Sequence, residues 1–157
     1  MKPTQKGNSN SNMATIAEVV NAWTSLNFQD EIIKTMSDMA DELAEQNRKQ
    51  LKKGQTAKGG KFKEYSSDNY AMMKNRMNPL AGYGNPDLFL RGDFAAGIKL
   101  VVGLDGGDMG STDGKADRLE GMYGADNIFG MNDESLGEIK PEFSDKLVQN
   151  VKEFVGI

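Results

Sequence analysis

From Phe28 to Lys53 the chain repeats its apolar residues every three or four positions, and this one stretch limits the available folds more than any other. Ile32, Ile33, Met36, Met39, Ala40, Leu43, Ala44 and Leu51 fall on one side of a helix of about 3.6 residues per turn. A stripe of that length has to be covered, so the chain is expected to be built around one long amphipathic helix with other elements packed along it. Asp30 and Glu31 sit at the positive end of the helix dipole, and Arg48, Lys49, Lys52 and Lys53 at the negative end, which agrees with the chain direction. Gly54 is the expected stop. The glycine-rich residues that follow offer little to bury, so residues 53–63 are expected to form an exposed, mobile, basic loop.

A length of 157 residues suits one ordinary domain, able to bury about two-thirds of its unfolded surface. The hydrophobic fraction of 38% is low and the 18 glycines are many, against a usual glycine share of roughly 7%, so a small core with long arms is expected. There is no cysteine, which removes disulfides and thiolate chemistry. There is no histidine either, which removes the commonest general base and the commonest metal ligand and weighs against an enzyme.

The net charge of -4 conceals two poles. Residues 46–63 carry Arg48, Lys49, Lys52, Lys53, Lys58, Lys61 and Lys63 and no acid, whereas residues 111–157 carry ten acids against five bases. Such poles favour head-to-tail contact between copies of a self-assembling protein. No apolar run approaches the roughly 20 residues that span a bilayer, and the start of the chain has no hydrophobic signal core, so no membrane association is expected.

Residues 1–12, with the polar run Asn8 to Asn12, cannot bury enough surface to offset their ordering entropy and read as a flexible arm; residues 13–157 then form a single domain. Ile16, Val19, Val20, Trp23 and Leu26 predict a short first helix, with Trp23 as a core or interface anchor. Ser66 or Ser67 is placed to cap a helix over Asp68 to Met77 that presents Tyr70 on one side, and Asn78-Pro79 ends it. Asp87 to Leu104 carries the strongest strand signal, centred on Ile98 to Val102 between Gly97 and Gly103, with a weaker partner around Met109. A short helix is expected from Lys115 to Tyr123, one helical turn from Asn132 or Asp133 to Leu136, and a last helix opened by Pro141 with Phe143, Leu147, Val151 and Phe154 as its stripe.

Three motifs invite chemistry and fail on spacing. Gly54 to Lys61 alternates glycine and lysine, but it contains no phosphate-loop match and follows a helix where that motif follows a strand. Asp105, Asp108, Asp113 and Asp117 lack the calcium-loop spacing, and Ala116 stands where the bidentate glutamate belongs. Arg91-Gly92-Asp93 reads as a turn beside a strand. No catalytic residue, cofactor or metal site is expected. A basic loop carrying Lys53, Lys58, Lys61 and Lys63 remains able to touch a phosphate backbone non-specifically.

The order of features is informative in itself: a helix ending in Asn47-Arg48 and Gln50-Leu51, a glycine loop, Tyr65 and Tyr70, then Leu90-Arg91-Gly92-Asp93-Phe94 before a strand. This resembles the virion-morphogenesis and tail-completion (head-tail joining, neck) proteins of tailed bacteriophages, although the family more often has threonine where Arg91 stands. Lys115 to Leu119 and Tyr123 to Gly130 are also similar to the ending of such proteins. The resemblance implies an α+β fold with long N-terminal helices packed on a small antiparallel sheet and short C-terminal helices. It further implies a non-enzymatic virion component, a homo-oligomeric ring that contacts portal, neck or tail proteins. The basic loop would then be an assembly handle or a DNA-facing segment, with Trp23, Tyr65, Tyr70, Phe94 and Phe154 as core or interface anchors. Another minor capsid or tail-associated role, or a nucleic-acid-binding module stacking bases on Phe62 and Tyr65, is the alternative.

Overall fold

A computed structural model describes residues 15–89 and 91–157; the expected arm over residues 1–12 lies outside them. The fold is α+β, helices gathered around one two-stranded antiparallel sheet. Helix α1 covers Ile16–Ser25. Its start is a complete capping box, in which Glu18 N donates to Thr15 Oγ1 and Thr15 N donates to the Glu18 carboxylate at 2.7 Å.

The long amphipathic stretch is not one helix. It forms α2 (Phe28–Asp38) and α3 (Ala40–Lys52), with Met39 at the break in a non-helical conformation of φ -111° and ψ 21°. The backbone ladder runs on across the break, since Met39 N donates to Thr35 O and Leu43 N to Met39 O. The cause is visible one turn earlier. Thr35 is fully buried, and its hydroxyl donates back to Glu31 O at 2.7 Å, a bond that competes with the helix and bends it. Asn150 Nδ2 then holds Thr35 Oγ1 from the far end of the chain at 3.0 Å.

Gly54 ends α3 as expected, at φ +70°. Gln55 N reaches back to Gln50 O at 3.1 Å, the six-residue closure of a left-handed glycine cap. A Cβ at Gly54 would meet Ala81 Cβ at 3.1 Å, so both backbone conformation and space require glycine. Helix α4 (Asp68–Met77) is capped by Ser67, and Pro79–Ala81 makes a single 3-10 turn.

The strand signal is only partly realised. Leu88 and Phe89 are irregular, and Leu88 has φ +52°, which among the described residues no other non-glycine shares in sign. After Gly92, Asp93–Ala96 makes one helical turn, α5, before β1 (Ile98–Gly103). β1 pairs with β2 (Gly106–Ser111) from Ile98 opposite Ser111 to Gly103 opposite Gly106. Ile98 is buried and Leu100 and Val102 are half-buried, whereas Val101 and Leu104 are 70% and 90% exposed; one face of the hairpin meets the helices and the other faces solvent. Gly107 allows the close approach on the covered side, since a Cβ there would lie 2.8 Å from Met36 Cε.

Helices α6 (Ala116–Tyr123) and α7 (Ala125–Ile128) are short, but the last helix corrects the expectation. Residues Asp133–Val155 form one helix, α8, of 23 residues with Pro141 inside it. Asn132 caps it by accepting from Ser135 N at 2.9 Å. Proline is tolerated mid-helix because residue 137, four positions earlier, is an exposed glycine with open space around it, so the carbonyl facing the ring is free to turn to water.

The core lies along α3. Ala44 and Leu51 pack with Phe62, Phe94, Ile98, Ala116 and Ile128, while Met39 and Leu43 pack with Ile139 of α8 and with Met36, Leu100 and Phe143. Ile128 and Phe129 join the core as the sequence suggests.

Candidate assembly surfaces

The basic loop is held, not loose. Gln55 and Lys61 face each other across an antiparallel bridge, Thr56 is buried, and Thr56 N donates to Gly60 O at 2.8 Å while Gly60 N donates to Thr56 Oγ1 at 3.0 Å. Ala57 N donates to Asn127 O at 2.7 Å, which ties the loop to α7. Two of its four lysines are spoken for by acids of the other pole. Lys53 Nζ meets Glu134 at 2.8 Å and Glu138 at 3.5 Å, and Lys58 pairs with Asp126. The lysine partners hold the carboxyls of Glu134 and Asp126 below their ordinary values, and Glu134 in turn raises Lys53. Lys61 and Lys63 stay exposed, with no ion pair among the described residues. Phe62 between them is buried and stands edge-on to Tyr123 at 5.3 Å, so it cannot stack on a base.

The residues that carry the resemblance perform internal work. Asn47 is fully buried and donates to Ile128 O at 2.8 Å and Gly130 O at 2.7 Å. Gln50 donates to Gly130 O at 3.2 Å and accepts from Asn132 N at 2.8 Å. Arg48 donates through Nε to Ala95 O at 2.9 Å and through Nη2 to Ile98 O, fastening α3 to the segment that enters the sheet. Leu51 and Phe94 are core residues. Gly92, at φ +85°, allows the turn that starts α5.

A groove of about 480 Å³ opens between α4, residues 88–89 and 91–94, and α6, within the size range of ligand pockets, roughly 300–1,000 Å³. Tyr65 and Tyr70 form one wall as an edge-on pair 4.8 Å apart; Phe89 and Met122 stand exposed on either side. Burial, with the Asp87 carboxylate nearby, pushes the Tyr65 phenol upward, and burial does the same to Tyr123. Arg91, Lys115 and Arg118 line the groove against the acid Asp93, and none of the three has an ion pair among the described residues.

Beneath this groove lies a feature with no periodic signal in the sequence. Lys74 Nζ lies 2.6 Å from Asp87 Oδ1, with side chains 5% and 2% exposed, and it also donates to Phe89 O at 2.7 Å. Asp87 accepts further from Asn78 Nδ2 at 2.8 Å and Phe89 N at 3.0 Å, so the pair is fully hydrogen-bonded. It holds the strained Leu88 between two anchored neighbours. Neither residue stands out in the sequence, because they lie thirteen positions apart, with the end of α4, the 3-10 turn and a glycine-rich connection between them.

A second uncovered surface is α1. None of its residues is buried. Val19, Ala22 and Leu26 are partly covered, and α8 is the element packed on this helix; Ile16 is 85% and Trp23 47% exposed, with Val20 exposed between them. Of the anchors named from sequence, Phe94 lies in the core and Tyr65 is half-buried, whereas Trp23, Tyr70 and Phe154 are at the surface. The two surfaces belong to different elements.

Asp105, Asp108, Asp113 and Asp117 do not converge: among the described residues no group of three or more carboxylates is placed to hold a metal ion. Nor is any described helix long and apolar enough to cross a membrane. In comparisons with protein-family models, curated proteins and solved structures, nothing matches this chain.

Proposed function

We infer that this chain is a structural subunit of a tailed-phage virion, a neck or tail-completion ring that joins head to tail through protein contacts and has no catalytic activity. The observation that carries the assembly role is α1: a helix with a complete cap and no buried residue, presenting Ile16, Val20 and Trp23 to solvent. A helix of ten residues is marginal by itself and gains its stability from a covered apolar face, so its uncovered half marks a site for a partner. Support for the phage role comes from the resemblance carried by Asn47-Arg48, Gln50-Leu51 and the Leu90 to Phe94 motif; of these, Asn47, Arg48 and Gln50 fasten α3 to the segment that enters the sheet and to residues 128–132. A ring needs two different complementary faces on each subunit, and α1 and the groove are two uncovered surfaces on different elements. The portal, neck or tail proteins would meet the ring's remaining surfaces, and the working location would be the virion.

The nucleic-acid alternative is weakened by the pairing of Lys53 and Lys58 and by the burial of Phe62. Of the loop's four lysines, Lys61 and Lys63 remain for a weak, non-specific phosphate contact. Native mass measurement and negative-stain imaging of the purified chain test the principal reading. Closed oligomers of one size are expected. A monomer that persists at high concentration and in the presence of virion extract would overturn it, and tight DNA retardation abolished by neutralising Lys61 and Lys63 would favour the alternative.

A further inference from the structure

Charge is sorted around the groove. Arg91, Lys115 and Arg118 line it against the single acid Asp93. A second hollow of about 390 Å³ adjoins it, with Met122 and Tyr123 as a shared wall, and brings Lys61 and Lys63 with no acid in its own lining. Lys58 in that hollow is paired with Asp126, and Lys74 beneath the groove is paired with Asp87. The two hollows together therefore present five cations without an ion pair among the described residues, against one carboxylate. Helix α6 carries this sorting in its sequence: from its N-cap, Lys115, Arg118, Leu119 and Met122 recur at i, i+3, i+4 and i+7 on the groove side, whereas Asp117 and Glu120 fall on the other side and line neither hollow.

We propose that these joined hollows dock an acidic peptide segment of a partner protein, one bulky apolar side chain of which seats among Tyr70, Phe89 and Met122. The inference rests on the assembly role above and deepens it by naming the chemistry of one partner. Like charges gathered along partly apolar walls hold a positive potential that an acidic segment relieves and a basic one is repelled by. Charge alone does not describe the surface, because Tyr70, Phe89 and Met122 stand exposed within the ring of cations, and exposed rings beside a methionine suit an apolar anchor. Nucleic acid fits less well. Tyr65 and Tyr70 meet edge-on, Lys52 lies over the Phe89 ring at 5.9 Å, and Phe62 is buried, so no series of open ring faces is offered to successive bases. Asp93 also repels a phosphate backbone, which has no donor to give it, whereas a peptide N–H does.

Fluorescence anisotropy with a fluorescein-labelled short peptide of aspartate and glutamate around one phenylalanine tests the assignment. Saturable binding that weakens as salt rises is expected, and replacing the phenylalanine by glycine should remove most of it. Arg118→Glu and Met122→Asp, each checked by circular dichroism for an unchanged melt, are expected to weaken binding about tenfold. Lys61→Ala combined with Lys63→Ala should weaken it from the other hollow, and Lys99→Glu, exposed on β1, should leave it unchanged. No saturable binding, equal binding of a lysine counterpart of the peptide, or full binding by both Arg118→Glu and Met122→Asp overturns the assignment. Oligothymidylate that binds more tightly than the peptide and is lost in the same variants overturns it in favour of nucleic acid. A chain that forms closed oligomers but ignores the peptide keeps the ring role and loses this inference; a persistent monomer that binds the peptide keeps this inference and loses the ring.

Discussion

Replacing Lys74 by methionine isolates the most consequential polar contact in the molecule. The ion pair with Asp87 spans 2.6 Å and is 5% and 2% exposed. At an effective dielectric constant of about 20 its direct attraction is about 6 kcal/mol, and desolvating the two groups costs several kcal/mol each, so the intact pair contributes little net stability. Removing one partner is different. Lys74→Met keeps most of the side-chain volume but leaves Asp87 with only the Asn78 amide and the Phe89 N–H, at 2.8 and 3.0 Å, and leaves Phe89 O without its lysine donor. A buried carboxylate stripped of its counter-charge destabilises by 3–5 kcal/mol; the two remaining donors place this case near the lower end, about 3 kcal/mol. Urea unfolding followed by circular dichroism reads the loss directly: with a slope of about 2 kcal/mol per molar, the midpoint falls by about 1.5 M. Asp87→Asn is expected to cost a similar amount, and the double variant much less than the sum, with a coupling of at least about 2 kcal/mol. Two results would refute the reasoning: a single-variant loss below about 1 kcal/mol, or costs that add within about 0.5 kcal/mol.

Leu43→Asp places a charge among Met39, Ile139 and Phe143 and should abolish the folded state; a far-ultraviolet spectrum and cooperative melt like those of the wild type would contradict it. Asn47→Ala strands Ile128 O, whereas Gly130 O keeps Gln50, so a loss of about 2 kcal/mol is expected from one orphaned carbonyl and a small cavity, measured as the shift in urea midpoint. Gly54→Ala must hold φ +70° against Ala81 and should destabilise by at least about 1 kcal/mol, read from the thermal midpoint. Acid should loosen the 53–61 loop before the core. The folded carboxyls of Asp126 and Glu134 titrate below their ordinary values of 3.8 and 4.5, so their pairing is complete above those values and is lost as pH falls through the lower folded ones. Amide exchange at Ala57 and Gly60, compared across pH 5 to 2.5 after correction for intrinsic rates, should show protection lost there first; uniform loss with α3 would contradict this.

Sequence alone determined the features that local chemistry dictates. The amphipathic period located the spine, Gly54 closed it, the serines at 66 and 67 announced the start of α4, and the β-branched run from Ile98 to Val102 marked the hairpin, because period, capping and strand preference act within a few residues. The same signals were blind to direction change. Nothing in the stripe from Ile32 to Leu51 reports that Thr35 would be buried and bend the helix. Pro141 read as a beginning because an open Gly137 four residues back is a tolerance and carries no start signal. Tertiary structure alone decided the rest. Asn47 reaches carbonyls more than eighty residues away, and the loop expected to be mobile is tied by Lys53, Lys58 and Ala57 to α8, Asp126 and Asn127. Lys74 and Asp87 find each other only after α4 has folded back on irregular chain. The groove exists because α4, residues 88–89 and 91–94, and α6 converge. Residue spacing encodes which face of an element is apolar; which faces find cover, and which are left for a neighbour, depends on how those elements pack in three dimensions.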